Sequence, residues 1–327
     1  MSHEVPVDSS PHEPPQRRLM RPQRSKQSDL RTRNLQWGVV AVSLVIMAAF
    51  FIDSSGPLTP IKAIILGAVE GITEFLPVSS TGHLLIVQRF LGLGDGAGKT
   101  AADTYVVSIQ MGAILAVVAL YRQRLEQLAC GVIGRDAEGR ALLVRLAVAF
   151  VPAAVVGVVL GDTIKAQLFG VWPVVAAWLT GGVFLLSWTP RPGSITTSTL
   201  TVRHAAMIGA AQILALWPGV SRSLTTIVAA LAIGATMAAS VEFSFLLGLA
   251  TLSAATFYDL GKNGSTLVAD YGVVTPLLGA AVAFLTAYVA ARWLVATLRT
   301  RPLAIFGWYR VGIAVSVMLL LGIGVIW

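Results

Sequence analysis

Residues 67–83 read GAVEGITEFLPVSSTGH, a stretch that places Glu70, Glu74 and His83 among apolar neighbours. Glu70 and Glu74 are four apart, so on a helix their carboxylates share one face, about 6 Å from each other. Pro77 predicts the end of that helix. Residues 78–82 (VSSTG) then supply hydroxyls and backbone N–H groups in a turn, and a second helix is expected near Leu84. The competing reading is a helix end with ordinary caps and its carboxylates in water. What surrounds the stretch decides between the two.

The surroundings read as membrane. Of 327 residues, 55% are hydrophobic and only 12% charged, with a mean hydropathy of +0.76; soluble domains carry about 25% charged residues. Apolar runs recur along the whole chain, which predicts an all-α polytopic membrane protein. An ionisable side chain at membrane depth costs about 2.5–3.5 kcal/mol on insertion scales, so Glu70, Glu74 and His83 become candidates for function. The single Cys130 excludes a disulfide framework and a cysteine zinc site. A net charge of +8 raises the question of nucleic acid. The excess, however, sits in the amino-terminal tail and in loops between spans, and no DNA-reading element is present.

Residues 1–35 are polar and rich in Pro, Gln and Arg, which predicts a disordered basic tail that could also touch anionic lipid. The apolar run Trp37–Ile52 predicts an extra span over residues 36–55, uncleaved, with the tail cytoplasmic. The remaining residues, 56–327, make the membrane domain. Its candidate spans are 104–121, 141–161, 171–188, 243–260, 271–295 and 311–327. Two interrupted segments, 60–92 and 205–240, break at Pro77 and at Trp217-Pro218-Gly219. Neither half of the first reaches the roughly 20 residues that cross a bilayer, so a re-entrant helix pair is expected.

Loop charges orient the chain. Arg122, Arg124, Arg135 and Arg140 lie in 122–140, Arg191 and Arg203 in 189–204, and Arg299, Arg301 and Arg310 in 296–310; these loops are assigned to the cytoplasm. The connections 162–170 and 261–270 hold one lysine each, Lys165 and Lys262, and fall outside. Each half, about 60–188 and 205–327, pairs one broken segment with three spans. Ser80 follows Pro77 by three residues as Ser221 follows Pro218. An odd number of crossings per half predicts an inverted-topology repeat with two re-entrant pairs, six core spans and the extra span.

At the second break, Pro218–Thr226 reads PGVSRSLTT. Arg222, between two serines in an apolar segment, calls for an anionic partner, and its planar fork suits phosphate or carboxylate. The helix expected from Ser223 adds free N–H groups. Alternatively Arg222 pairs with Glu70 or Glu74 and holds the halves together. Glu242 and Asp259 read as caps or interface residues. Together the breaks offer an arginine, hydroxyls, a histidine and two carboxylates, a set that suits a phosphorylated lipid better than an inorganic anion.

These residues carry a resemblance. The chain resembles the undecaprenyl-diphosphatase (bacitracin-resistance) family, whose first motif ends in PVSSTGH, matched by Glu70–His83, and whose second, PGxSRSxxT, is matched by Pro218–Thr226. Residues 242–247 and the pair Tyr309–Arg310 also look like family segments, and the likeness covers about residues 58–327. It implies hydrolysis of undecaprenyl diphosphate to undecaprenyl phosphate, recycling the lipid carrier for peptidoglycan. It also implies a site opening to the outer face of the cytoplasmic (inner) membrane, a divalent cation such as Mg²⁺ or Ca²⁺ held by Glu70 and Glu74, and a homodimer. Carried onto this chain, the catalytic set is Glu70, Glu74, Ser80, His83 and Arg222. The phosphate-binding set is Ser79, Thr81, Ser221, Arg222, Ser223 and Thr226. The attacking group stays open among His83, water, and Ser80 with His83 as its base. A transporter or flippase for a phosphorylated lipid or anion is the alternative, since broken helices in inverted repeats serve transport as well.

Overall fold

A computed structural model of the chain describes residues 58–93, 96 and 98–324. The expectations for the tail (1–35) and the extra span (36–55) lie outside these residues. The described elements are α1 (Pro60–Glu74), α2 (Ser80–Phe90), α3 (Lys99–Leu120), α4 (Arg122–Val132), α5 (Ala137–Leu168), α6 (Val171–Ser187), α7 (Val202–Gln212), a 3₁₀ turn (Ile213–Leu216), α8 (Arg222–Ala232), α9 (Met237–Tyr271), α10 (Val274–Leu298) and α11 (Ala304–Gly322). Among them the β pairing is a single parallel bridge, Ile195 to Ala235. The all-helical membrane reading holds.

Five of these helices, α3, α5, α9, α10 and α11, are long and apolar enough to cross a membrane. The span expected at 171–188 is the 17-residue α6. Three expected loops are largely helical instead: α4 takes up 122–132 of the loop 122–140, α5 runs 32 residues through most of 162–170, and α9 runs 35 residues through 261–270. The apolar window marks what lipid covers, not where hydrogen bonding stops. Asp162, Lys165, Lys262 and Asn263 continue a helix without steric objection, so each rod outlasts the roughly 30 Å of hydrocarbon. The chain then reverses over Phe169–Gly170 and Gly272–Val273. Asp259 is consequently no cap: it lies inside α9 and accepts from the Asn263 amide at 3.1 Å. Glu242 is an interface residue as expected, 2.6 Å from Arg124.

The packing that positions the site starts from small residues. Gly67 and Gly71, one helical turn apart on α1, lie against Gly279 and Ala283 of α10 so closely that a Cβ at either would strike backbone. Lipid offers no hydrophobic drive between helices, so this close backbone approach supplies the contact. It fixes the seat of α1, the helix that carries Glu70 and Glu74. Beyond α1, Phe75 is fully buried and packs on Phe245 of α9, ring centroids 4.7 Å apart. That contact fixes where the first break begins.

Candidate active site

The first break is shorter than the sequence suggests. Helix α2 starts at Ser80, not near Leu84, because the Ser79 hydroxyl caps it by accepting from the Gly82 N–H at 3.4 Å. Ser79 does this at φ 71°, a left-handed conformation rare for serine. Ser80, Thr81, Gly82 and His83 therefore form the first helical turn rather than a loop before it. The Ser80 hydroxyl donates to Glu74 Oε2. Glu74 Oε1 accepts from Arg222 Nη2 at 2.9 Å, so both of its oxygens are engaged. Glu70, one turn earlier, is fully buried and neither carboxylate oxygen has a hydrogen-bond partner.

His83 is held at both nitrogens. Nδ1 lies 2.6 Å from the Ser79 carbonyl, which can only accept, so the proton belongs on Nδ1. In the neutral ring Nε2 then accepts from the Tyr309 hydroxyl at 2.8 Å. Ser80 and His83, close in sequence, are thus committed to different partners: Ser80 to Glu74, His83 to Tyr309.

The second break repeats the device. Ser221, at φ 78°, caps α8 by accepting from Leu224 N–H at 3.3 Å. Its hydroxyl is 3.0 Å from that of Ser223, which donates to the Leu76 carbonyl at 3.0 Å. Thr226 and Ser244 share a hydrogen bond of 2.6 Å. Arg222, the first residue of α8, spans between elements, with Nη1 donating to the Ser244 carbonyl at 3.0 Å and Nη2 to Glu74. Its Nε is buried without a partner. Space for the guanidinium comes from Gly248 on α9, where a Cβ would collide with it.

The breaks meet directly. Gly219 N–H donates to the Ser79 hydroxyl at 3.1 Å, and Gly219 has φ 96° with the α6 backbone against it, which leaves no room for a side chain. Glu70, Glu74, Ser79, Ser80, His83, Ser221, Arg222, Ser223 and Thr226 therefore gather around one junction, with Thr81 half-buried on the same turn of α2.

Arg310 is a correction to the loop count. It is a residue of α11, fully buried, and not a cytoplasmic loop cation. Nη1 donates to the carbonyls of Pro77 and Val220 at 3.3 Å, and Nη2 to those of Ala177 and Gly219 at 2.8 Å. A single guanidinium thus laces both breaks to α6. Gly181 leaves the space it occupies. The sequence did carry a signal: Arg310 falls inside the apolar run of α11, where a charge is expensive.

The residues present suit a divalent cation only in company. Among the described residues no group of three or more His, Cys, Asp or Glu could hold a metal ion alone. Glu70, with two open oxygens, and Glu74 beside it form a two-carboxylate set. Mg²⁺ is commonly held in that way, through one or two carboxylates completed by substrate phosphates.

A family model described as bacitracin resistance protein BacA matches residues 63–316. A protein of Sorangium cellulosum named undecaprenyl-diphosphatase is 44% identical over 263 residues, 78% of this chain and 84% of the relative. One of the same name from Bradyrhizobium diazoefficiens is 41% identical over 81% of this chain and 98% of its own length. A third, undecaprenyl-diphosphatase 2 of Rhodospirillum rubrum, is 42% identical over 79% and 93%.

Proposed function

We infer that this chain, which belongs to the bacitracin resistance protein BacA family, hydrolyses undecaprenyl diphosphate to undecaprenyl phosphate and inorganic phosphate. It is a multi-pass membrane enzyme, and the family name attaches the reaction to bacitracin resistance. One observation carries the reading at the level of the site. A buried acceptor without a donor, the Glu70 carboxylate, and a buried donor without an acceptor, Arg222 Nε, flank a serine already bonded to a carboxylate. Leaving a buried polar group unsatisfied costs about 1–3 kcal/mol, more when charged. A diphosphate with its cation satisfies both at once.

Ser80 Oγ attacks the terminal phosphorus as Glu74 takes the hydroxyl proton, and the bridging P–O bond breaks towards undecaprenyl phosphate. Arg222, through Nε–H and the Nη2 now shared with Glu74, meets the charge on the transferring group, and the N-termini of α2 and α8 add to it. Water then attacks the phosphoserine. Glu74 returns its proton to Ser80, and the water's two protons leave with the released phosphate. Glu70, whose two oxygens are open, would hold a divalent cation beside Glu74, and that ion would neutralise part of the diphosphate charge.

The topology we propose has six core crossings, α6 among them at about 25 Å of helix, in two inverted halves whose broken segments are re-entrant. The arginines of 122–136 and 299–303, with Arg191 in 188–201, support a cytoplasmic placement for these connections and a site opening to the outer face of the inner membrane. The test is phosphate release from undecaprenyl diphosphate by purified protein in detergent. Release that disappears in Ser80→Ala is expected. No release by the wild type returns the chain to the carrier reading, and full activity in S80A makes water the attacking group.

A further inference from the structure

We propose that Tyr309 is the member of the Tyr309–His83 pair that meets the reacting groups, and that His83 acts through it; this rests on the hydrolase reading above. His83 is only 1% exposed. One nitrogen is committed to the Ser79 carbonyl and the other to the Tyr309 hydroxyl, so the ring has no polar atom left for a substrate. It is also closed in on its faces, with Trp178 at 4.9 Å and Tyr309 stacked at 5.7 Å and 18°. Tyr309 differs in exposure and in acceptor capacity. It is half-buried, and its phenol oxygen, after donating to Nε2, keeps acceptor capacity for one further donor. Its neighbour Arg310 bonds carbonyls of both breaks, which fixes Tyr309 beside the junction. Tyr309 is therefore the path by which a buried imidazole reaches that junction.

The chemistry assigns the pair to the second half of the reaction. Glu74 holds the Ser80 proton while phosphoserine exists, so it cannot also receive a proton from the attacking water. Tyr309 can. As water attacks, its proton moves to the phenol oxygen while the phenol's own proton moves to Nε2, leaving a neutral phenol and an imidazolium. Once the bond to Ser80 has broken, the two transfers reverse and the proton joins the released phosphate. No charge accumulates on the phenol. Proton transfer by a positioned side chain contributes about 10²–10⁴-fold.

The experiment compares Tyr309→Phe, His83→Gln and the double variant, using purified full-length protein and undecaprenyl diphosphate with rapid quenching. Phenylalanine keeps the ring and its stack, and melting temperatures verify that each variant is folded. The expected result is a fall in kcat of about 100-fold in Y309F, with KM within about threefold. One undecaprenyl phosphate per chain should appear in a burst, and phosphate should be found on Ser80 by mass spectrometry. H83Q should show the same burst, and the double variant should be no slower than the single ones. Y309F within about threefold of wild type overturns the proposal. So does a slow variant without a burst, or a double variant whose losses multiply. Wild-type phosphate release and its loss in S80A, measured alongside, test the hydrolase reading separately.

Discussion

The two breaks are built alike and charged differently. Each ends in a serine at positive φ that caps an eleven-residue helix, α2 or α8. Each of these helices closes the same way. Gly92 and Gly234 take positive φ, and the residues after them, Leu93 and Ala235, donate back to Gln88 and Ala230 at 2.9 Å. The difference lies in what the scaffold presents. The first break is preceded by Glu70 and Glu74, whereas the corresponding stretch before the second offers alanines and a tightened 3₁₀ turn. The first residue after the cap is Ser80 in one and Arg222 in the other. A fold used twice thus places an acceptor-rich and a donor-rich end against each other, and the reaction centre arises from that asymmetry rather than from either half.

Removing the cation from the donor-rich end is the harshest way to break the comparison. Arg222→Ala should cost about 10²–10³ in kcat/KM, the range for losing an anion-stabilising donor in a shielded site. It also leaves Glu74 as a buried carboxylate without its ion partner, a change that costs about 3–5 kcal/mol when such pairs are broken. Melting temperature and insertion therefore have to be measured with activity. Retention of more than about a tenth of kcat/KM in folded protein makes the arginine a strut between the halves.

A gentler version keeps the charge and moves it. Gly248→Ala puts a methyl group where the Arg222 guanidinium lies, so the side chain must shift away from Glu74 and the Ser244 carbonyl. A misplacement of about 1 Å can cost on the order of 100-fold; here the flexible arginine stem absorbs part of it, and we expect a loss of about tenfold in kcat. Full activity in G248A would show that the position of Arg222, as distinct from its charge, does not matter.

These tests also show where the sequence was legible. Composition and apolar runs gave the helical membrane class, because lipid leaves helices as the open solution for backbone polar groups. Glu70, Glu74, His83 and Arg222 stood out because charge in an apolar run is costly. The register between the breaks did not come through. Counting from the prolines pairs Ser80 with Ser221, but the caps are Ser79 and Ser221, because Gly219 inserts one residue after Pro218. A positive-φ serine leaves no periodic trace, so the apolar pattern predicts that α2 begins at the first apolar residue instead. Arg310 was assigned to a loop because it sits one residue before the apolar window 311–327. Its four carbonyl partners come from three distant segments and exist only in the fold. Tyr309 stands in the sequence only as half of a family-like pair, because its partner His83 is 226 residues away and meets it only in the fold.

The acceptor-rich end can be probed through its proposed cation. Glu70→Gln should raise the Mg²⁺ concentration for half-maximal activity about tenfold or more, since it removes one of the two carboxylates available for such an ion. Glu74→Gln should raise it too, with an additional fall in kcat, because Glu74 is also the base for Ser80 and the partner of Arg222. Equal half-saturation in wild type and both variants would leave the glutamates to organise the junction without a metal.

The smallest effect compares the two cap serines, and here the expected signs differ. Glycine in place of either relieves a left-handed serine, a conformation that costs about 1–3 kcal/mol; against that it gives up a cap hydroxyl, roughly a few tenths of a kcal/mol when glycine replaces it, and loosens the unfolded backbone, about 0.5–1 kcal/mol. For Ser221→Gly the hydroxyl lost serves its own helix and Ser223, so strain relief and these two costs together should nearly cancel and the melting temperature should hold. Ser79 has a second task. Its hydroxyl accepts from Gly82 in α2 and from Gly219 across the junction. Ser79→Gly therefore leaves the buried Gly219 N–H without its acceptor, a penalty of about 1–3 kcal/mol that strain relief does not cover. Thermal unfolding in detergent should place S79G below wild type and S221G within about 0.5 kcal/mol of it, inside the scatter of substitutions away from special features. Equal losses in both would mean that the contact between Ser79 and Gly219 adds nothing, and that the breaks are held together by Arg222, Arg310 and the hydrogen bond from Ser223 to Leu76.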